Sequence, residues 1–249
     1  MATKVKSLKA FMYILAILGF CFIQSCSSES ITAEPIDLQL DYYPLATGKT
    51  WEYKYDSIVY KNKGARKDTQ SGFLRYVLEA NPNPNSYKVT KFIKKSINAP
   101  YVINRIDQVN LVDKSVETTE GNLQFTSLVL PPKLNTKWDG NRAFDENISI
   151  QIDGGDRLQI YLDWSYEYTN LDTTLNIEKK TYNKIIKVSH IDRSDAINRR
   201  LSREYYAKGV GLVLKEMEMY ETQRIEPNTP WPSKAQAGFS LKLQLLNNQ

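Results

Sequence analysis

From residue 41 onward the chain alternates apolar and polar side chains with a period of two, and helical periodicity is nearly absent. In Trp51-Glu52-Tyr53-Lys54-Tyr55-Asp56 the three aromatic rings fall on one face and the three charges on the other. Successive strand side chains point to opposite faces, so this pattern predicts an antiparallel strand with one face on a core and one in water. The pattern recurs between turn signals. Phe73, Arg75 and Val77 alternate with Leu74, Tyr76 and Leu78, and Asn81-Pro82-Asn83-Pro84-Asn85 then breaks the chain before a strand at 87–93. Ile148, Ile150 and Ile152 lead into the turn Asp153-Gly154-Gly155-Asp156, after which Leu158, Ile160, Leu162 and Trp164 resume the alternation, the clearest hairpin in the sequence. Further strands are predicted at 182–190, 203–207, 212–220 and 239–246, with one short helix near 194–201. A hydrophobic content of 41%, with 16 Tyr, is enough to build a core. The fold class is therefore mainly β: a single antiparallel curved sheet, half-barrel or open barrel, with at most one or two short helices.

The N-terminus follows a different logic. Lys4, Lys6 and Lys9 precede thirteen uncharged, mostly apolar residues, 11–23, and then Ser25, Cys26 and a polar run. A helix needs about 20 apolar residues to cross a bilayer, so this stretch is a helical signal peptide over 1–25. Ile23-Gln24-Ser25-Cys26 resembles the bacterial lipobox, in which the Cys is lipidated and becomes the new N-terminus. The resemblance implies that Cys26 carries diacylglycerol and a further acyl chain such as palmitate, while Cys21 leaves with the signal. Each buried methylene contributes about 0.8 kcal/mol, so several chains anchor the protein to the membrane without spanning it. Residues 26–40, rich in Ser, Glu and Thr, form a flexible tether, and 41–249 a single β-rich domain.

Charge and rare residues narrow the partners. The net charge is +5, from 33 basic and 28 acidic residues. Losing Lys4, Lys6 and Lys9 with the signal leaves 30 against 28, a net +2, which offers no basic surface for nucleic acid. The best basic cluster, Lys91, Lys94 and Lys95, reads as the solvated face of a strand. One His and one remaining Cys leave no zinc site, no Cys–His catalysis and no disulfide framework. The partners expected are the membrane, through the N-terminal lipid, and an envelope protein, glycan or lipid ligand.

Candidate chemistry is sparse. Gly48-Lys49-Thr50 matches the end of a phosphate-binding loop, but Tyr43 stands where its first Gly is required, and a strand follows where a helix should. Gly209 and Gly211 read as a turn feeding a buried strand. Asp153, Asp156 and Asp163 read as solvated turn acids, since the alternating calcium-loop pattern is missing. His190 reads as a surface or strand-end residue without an identifiable catalytic partner. Pro44 to Trp51 and Pro131 to Trp138 share a seven-residue Pro–Trp spacing, each a turn feeding a strand whose Trp plugs the core. No residue is assigned to catalysis, cofactor or metal, and no cofactor is expected.

Four segments carry a family resemblance: Tyr43-Pro44-Leu45 with Gly48 and Trp51-Glu52-Tyr53; Leu130-Pro131 with Trp138-Asp139-Gly140-Asn141; Thr181 through Val188; and Tyr206-Ala207-Lys208-Gly209-Val210-Gly211-Leu212-Val213. Together they resemble uncharacterised lipoproteins of the Bacteroidota, a β-rich family some of whose members are similar to the curved half-barrel of lipoprotein carriers. The resemblance implies the cell envelope, in an outer-membrane lipid-anchored form. Asp56-Ser57 and Asp172-Thr173 resemble the sites at which Bacteroidota O-glycosylate exported proteins, making Ser57 and Thr173 candidate glycosylation residues. The first functional reading is a non-catalytic binding or accessory lipoprotein. The second is a carrier or chaperone holding an acyl chain or other apolar ligand in a half-barrel, and the third an enzyme acting on envelope polysaccharide. A ligand-sized apolar cavity favours the second, and carboxylates converging in a cleft would favour the third.

Overall fold

The computed structural model describes residues 36–152 and 154–249. The signal peptide, Cys26 and most of the tether lie outside the described residues. Asp37–Gln249 is a compact unit, in which Leu38 and Leu40 pack on the core.

The alternating segments form twelve strands of one antiparallel sheet: β1 (Thr50–Lys61), β2 (Arg66–Ala80), β3 (Ser86–Lys94), β4 (Val102–Val112), β5 (Ser115–Glu120), β6 (Leu123–Val129), β7 (Lys137–Trp138), β10 (Tyr166–Ile177), β11 (Lys180–Ser194), β12 (Asn198–Ala207), β13 (Gly211–Glu221) and β14 (Ala237–Asn248). The spatial order is β6-β5-β4-β3-β2-β1-β14-β13-β12-β11-β10-β7. Two meanders of chain-adjacent strands thus join at one long-range seam, where β1 and β14 pair from Trp51↔Asn248 to Tyr60↔Gly238.

The sheet curls until its two ends nearly meet. Trp138 Nε1 donates to the Thr126 carbonyl at 2.7 Å, the Thr126 amide donates to the Gly140 carbonyl at 2.8 Å, and Tyr168 Oη donates to the Val129 carbonyl at 2.8 Å. These bonds occupy backbone groups of β6 that an open edge would present to another chain. The mainly β class with one large, nearly closed sheet holds, and the described residues contain one short α-helix, α1 (Trp231–Lys234).

Three local expectations change. The hairpin around Asp153-Gly154-Gly155-Asp156 exists, but its ladder is only Ile150↔Leu158 and Gln151↔Arg157, formed by β8 (Ile150–Gln151) and β9 (Arg157–Leu158) as a separate small sheet. Residues 160–163 turn instead of extending, which carries Ile152, Leu158, Ile160 and Trp164 into the core. The helix expected at 194–201 is absent. The Asp195 carboxylate accepts the amides of Ile197 and Asn198 at 2.9 and 2.8 Å, closing a tight turn that sends the chain into β12.

Gly238 sits at the seam with φ +113°, and a Cβ placed there would lie 1.8 Å from the Met219 carbonyl oxygen. Gly238→Ala combines a clash with a disfavoured dihedral. It should destabilise the domain by roughly 3 kcal/mol or more, measured by denaturant unfolding. At Gly48, with φ +86° and open space around it, the same change should cost only about 1 kcal/mol.

Candidate functional site

The inward faces of the curled sheet do not fill the interior. They enclose a cavity of about 400 Å³, within the range of roughly 300–1,000 Å³ typical of ligand pockets. Much of its wall is aromatic and aliphatic, including Trp51, Tyr53, Leu74, Leu78, Met217 and Leu241. Trp51 is held by its Nε1 donating to the Val210 carbonyl at 2.7 Å, and Tyr53 by its hydroxyl donating to the Leu212 carbonyl at 3.1 Å. The Val210 acceptor lies in the Gly209–Gly211 turn and the Leu212 acceptor in the start of β13 that follows it; the two glycines take φ of +75° and +97°, the turn role expected of them.

Another part of the wall is ionic. On β3, β4 and β5 four inward side chains form a closed ring of alternating charge. Lys91 Nζ lies 2.6 Å from Asp107 and 3.2 Å from Glu120, while Arg105 lies 3.0 Å from Asp107 and 2.8 Å from Glu120. A second group faces inward from β11, β12 and β13. Lys215 Nζ is 2.7 Å from Glu204, the Tyr206 hydroxyl donates to the same carboxylate, and His190 Nε2 stands 3.8 Å from it.

Burial disfavours the charge on Glu120, yet Lys91, Lys215 and Arg105 outweigh that and hold its carboxyl well below the usual range. Glu204 is likewise buried but lowered, chiefly by Lys215. Burial works against Lys215 too, but Glu204 and Glu120 raise it well above the ordinary lysine value. Glu120 and Lys215 therefore couple the two groups across the interior. Three cations balance three anions.

His190 is 3% exposed within β11, not a surface or strand-end residue, because its strand position points into the interior. Burial pushes its imidazole down to about 4, so at neutral pH it carries no charge and its approach to Glu204 is not an ion pair. Its Nδ1 shares a 2.8 Å hydrogen bond with Ser202 Oγ, whose residue is fully buried. Ser202 does not line the cavity, so this Ser–His contact cannot present a nucleophile to a ligand there. Trp164 stacks on His190 with ring centroids 5.1 Å apart. Trp164 Nε1 and His190 Nε2, both on residues lining the cavity, have no hydrogen-bond partner within the protein.

Lys91 corrects another expectation. It is 7% exposed and salt-bridged in the interior, whereas Lys95 is exposed. Asp156 and Asp163 are exposed, Asp163 pairing with Arg193 at 2.9 Å, and Asp153 lies outside the described residues. Among the described residues no group of three or more His, Cys, Asp or Glu side chains is arranged to hold a metal ion. Ser57 and Thr173 are half-buried strand residues whose hydroxyls donate to the Ser240 carbonyl at 2.9 Å and the Ile185 carbonyl at 3.5 Å. The ionic residues that sequence reasoning missed do carry a signal. Lys91 is in phase with Val89, Asp107 with Val109, Glu204 with Tyr206, and Lys215 with Val213 and Met217, so each charge sits in an apolar register.

No family model matches the sequence, and no curated protein matches it. Solved structures to which the chain is similar include the following two. One is lipovitellin, from a structure concerned with its lipid–protein interactions, with TM-score 0.36, 9% identity and 83% of this chain covered; the chain spans 26% of the lipovitellin chain. The other is a candidate lipoprotein from Parabacteroides distasonis, with TM-score 0.34, 13% identity, 82% of this chain and 98% of that one covered. At such scores neither likeness bears on what the cavity holds.

His190 has a measurable consequence. Its folded value of about 4 lies below its ordinary 6.5, so between these pH values the unfolded chain binds a proton that the folded one does not. Stability therefore falls as pH drops through this window, by about 2 kcal/mol between pH 7 and pH 5. Glu120 and Glu204 lose their contributions only at and below the ordinary carboxylate value of 4.5, so this interval isolates the histidine. Urea unfolding at the two pH values should show the drop in the unsubstituted protein, and a His190→Gln variant should lack it.

Proposed function

We propose that this chain is a lipid-anchored cell-envelope protein, held at the outer membrane through Cys26, whose β domain is a non-catalytic binding module. Its cargo is an amphipathic ligand, with an acyl chain or comparable apolar body inside the barrel and a polar head on the ionic wall. The observation that carries this reading is the cavity of about 400 Å³, lined by aliphatic and aromatic side chains on one part and by paired charges on another. A core optimised for stability would close such a volume with apolar side chains, because each void and each desolvated ion weakens the fold. The unpartnered ring nitrogens of Trp164 and His190 add hydrogen-bonding capacity that a head group can satisfy.

The same geometry favours binding over hydrolysis of polysaccharide. Carboxylates do converge here, but Glu120 and Glu204 are ion-paired and shifted down. A general acid needs a carboxyl shifted up, so that it still holds a proton near neutral pH. The lipobox-like Ile23-Gln24-Ser25-Cys26 supports the anchor.

The test is lipid content. Full-length protein purified from membranes should release one amphipathic molecule per chain on solvent extraction and mass spectrometry. Met217→Trp, which pushes a larger side chain into the cavity, should abolish that yield while circular dichroism stays β. Equal yields from both proteins would overturn the reading.

A further inference from the structure

The β3–β4 hairpin is backed by β2 as far as Phe73↔Lys94, and the outer edge of β4 is uncovered near its turn. β5 pairs with β4 only from Gln108 onward, so residues 102–107 are bordered by β3 alone. Ile97 in the connecting turn is 67% exposed, and Val102, Ile103 and Ile106 are 56%, 64% and 56% exposed. Single exposed aliphatics are ordinary on any surface, but these four fall within ten residues of one hairpin, three of them at its turn end.

Charge on this segment is one-sided. Residues 80–106 contain no Asp or Glu, but hold Lys88, Lys91, Lys94, Lys95 and Arg105. Lys88, Lys91 and Arg105 are paired with acids elsewhere on the sheet. Among the described residues Lys94 and Lys95 carry no ion pair at the tip: Lys95 is exposed, and Lys94 donates to the Ile97 carbonyl at 3.1 Å while lying 4.7 Å over the Tyr101 ring. β-Branched aliphatics flanked by lysines are not the composition of a protein-binding surface, where aromatics and Arg are enriched and Lys depleted. They suit a lipid surface, whose acyl boundary accepts the aliphatics while each nearby lysine gains about 1 kcal/mol from anionic head groups.

We infer that the tip of the β3–β4 hairpin docks on an anionic lipid surface, entering it with Ile97, Val102 and Ile103 while Lys94 and Lys95 meet the head-group phosphates. Asn104 and Arg105 follow directly in the chain and are the exposed residues of the cavity wall. Docking therefore turns the mouth of the cavity toward the bilayer. The docking stands on the hairpin alone, whereas use of that mouth for ligand entry rests on the carrier reading.

The experiment uses full-length protein in vesicles of phosphatidylcholine and phosphatidylglycerol whose acyl chains carry bromine, a contact quencher of tryptophan. Ile97→Trp and Ile103→Trp should each lose emission in excess of the unsubstituted protein. Ile225→Trp, at a site 73% exposed on the segment between β13 and α1, should not. Omitting phosphatidylglycerol should restore emission at positions 97 and 103. Unquenched emission at both, as a protein-facing hairpin would give, overturns the inference. So does quenching equal to that at position 225, or quenching indifferent to phosphatidylglycerol. Since these readouts do not involve cargo, equal lipid yields from the unsubstituted protein and Met217→Trp would sink the carrier reading and leave the docking intact, and the reverse also holds.

Discussion

The seam between β1 and β14 is the interaction on which the rest of the structure depends. Every other neighbouring pair in the main sheet except β7 with β10 joins strands consecutive in the chain, and these form two meanders that by themselves would be curved sheets with an open side. Pairing Trp51 through Tyr60 with Asn248 back to Gly238 makes the meanders one sheet, long enough to curl toward closure. The ladder carries one register shift, between Glu52 and Tyr53, and at its far end Gly238 lets β14 pass against Met219 of β13 without a side chain between them.

The seam also creates the interior. The ring of Lys91, Arg105, Asp107 and Glu120 belongs wholly to the first meander, and Glu204, Lys215 and His190 wholly to the second. Each group is close to charge balance within itself, which allows it to be buried before or after the halves join. Facing each other across the cavity, they produce a polar region inside an otherwise apolar barrel, where low dielectric strengthens every electrostatic contact a bound group would make. Ionic pairs of this kind contribute little net stability. The turn end of the β3–β4 hairpin carries exposed aliphatics and lysines beside Asn104 and Arg105, where the cavity meets solvent.

Legibility in the sequence followed the phase of the alternation. β1, β2, β3 and the last four long strands, β11 to β14, could be read because apolar residues keep to one face over many positions. β4 and β5 could not, because their inward positions include Arg105, Asp107, Thr118 and Glu120, which look like solvent-facing residues. β10 lost its phase at the register shifts near Asn170 and Thr173, where Asp172 takes φ +51°. Lys91 and His190 were read as outward for the same reason: polarity was taken as exposure, although their registers with Val89 and with Val188 pointed inward.

What the sequence determined by itself is local. The period of two, the turn residues and the aromatic content specify strands, their approximate ends and an antiparallel β class, since each depends on residues a few positions apart. The lipobox-like segment is equally local, and it bears on anchoring whatever the domain does. Only the tertiary structure decided that the sheet closes around an unfilled space, and that six charges and a neutral histidine line it. Those outcomes depend on pairing between strands far apart in the chain and on a curvature accumulated over twelve of them. No short window of residues encodes either.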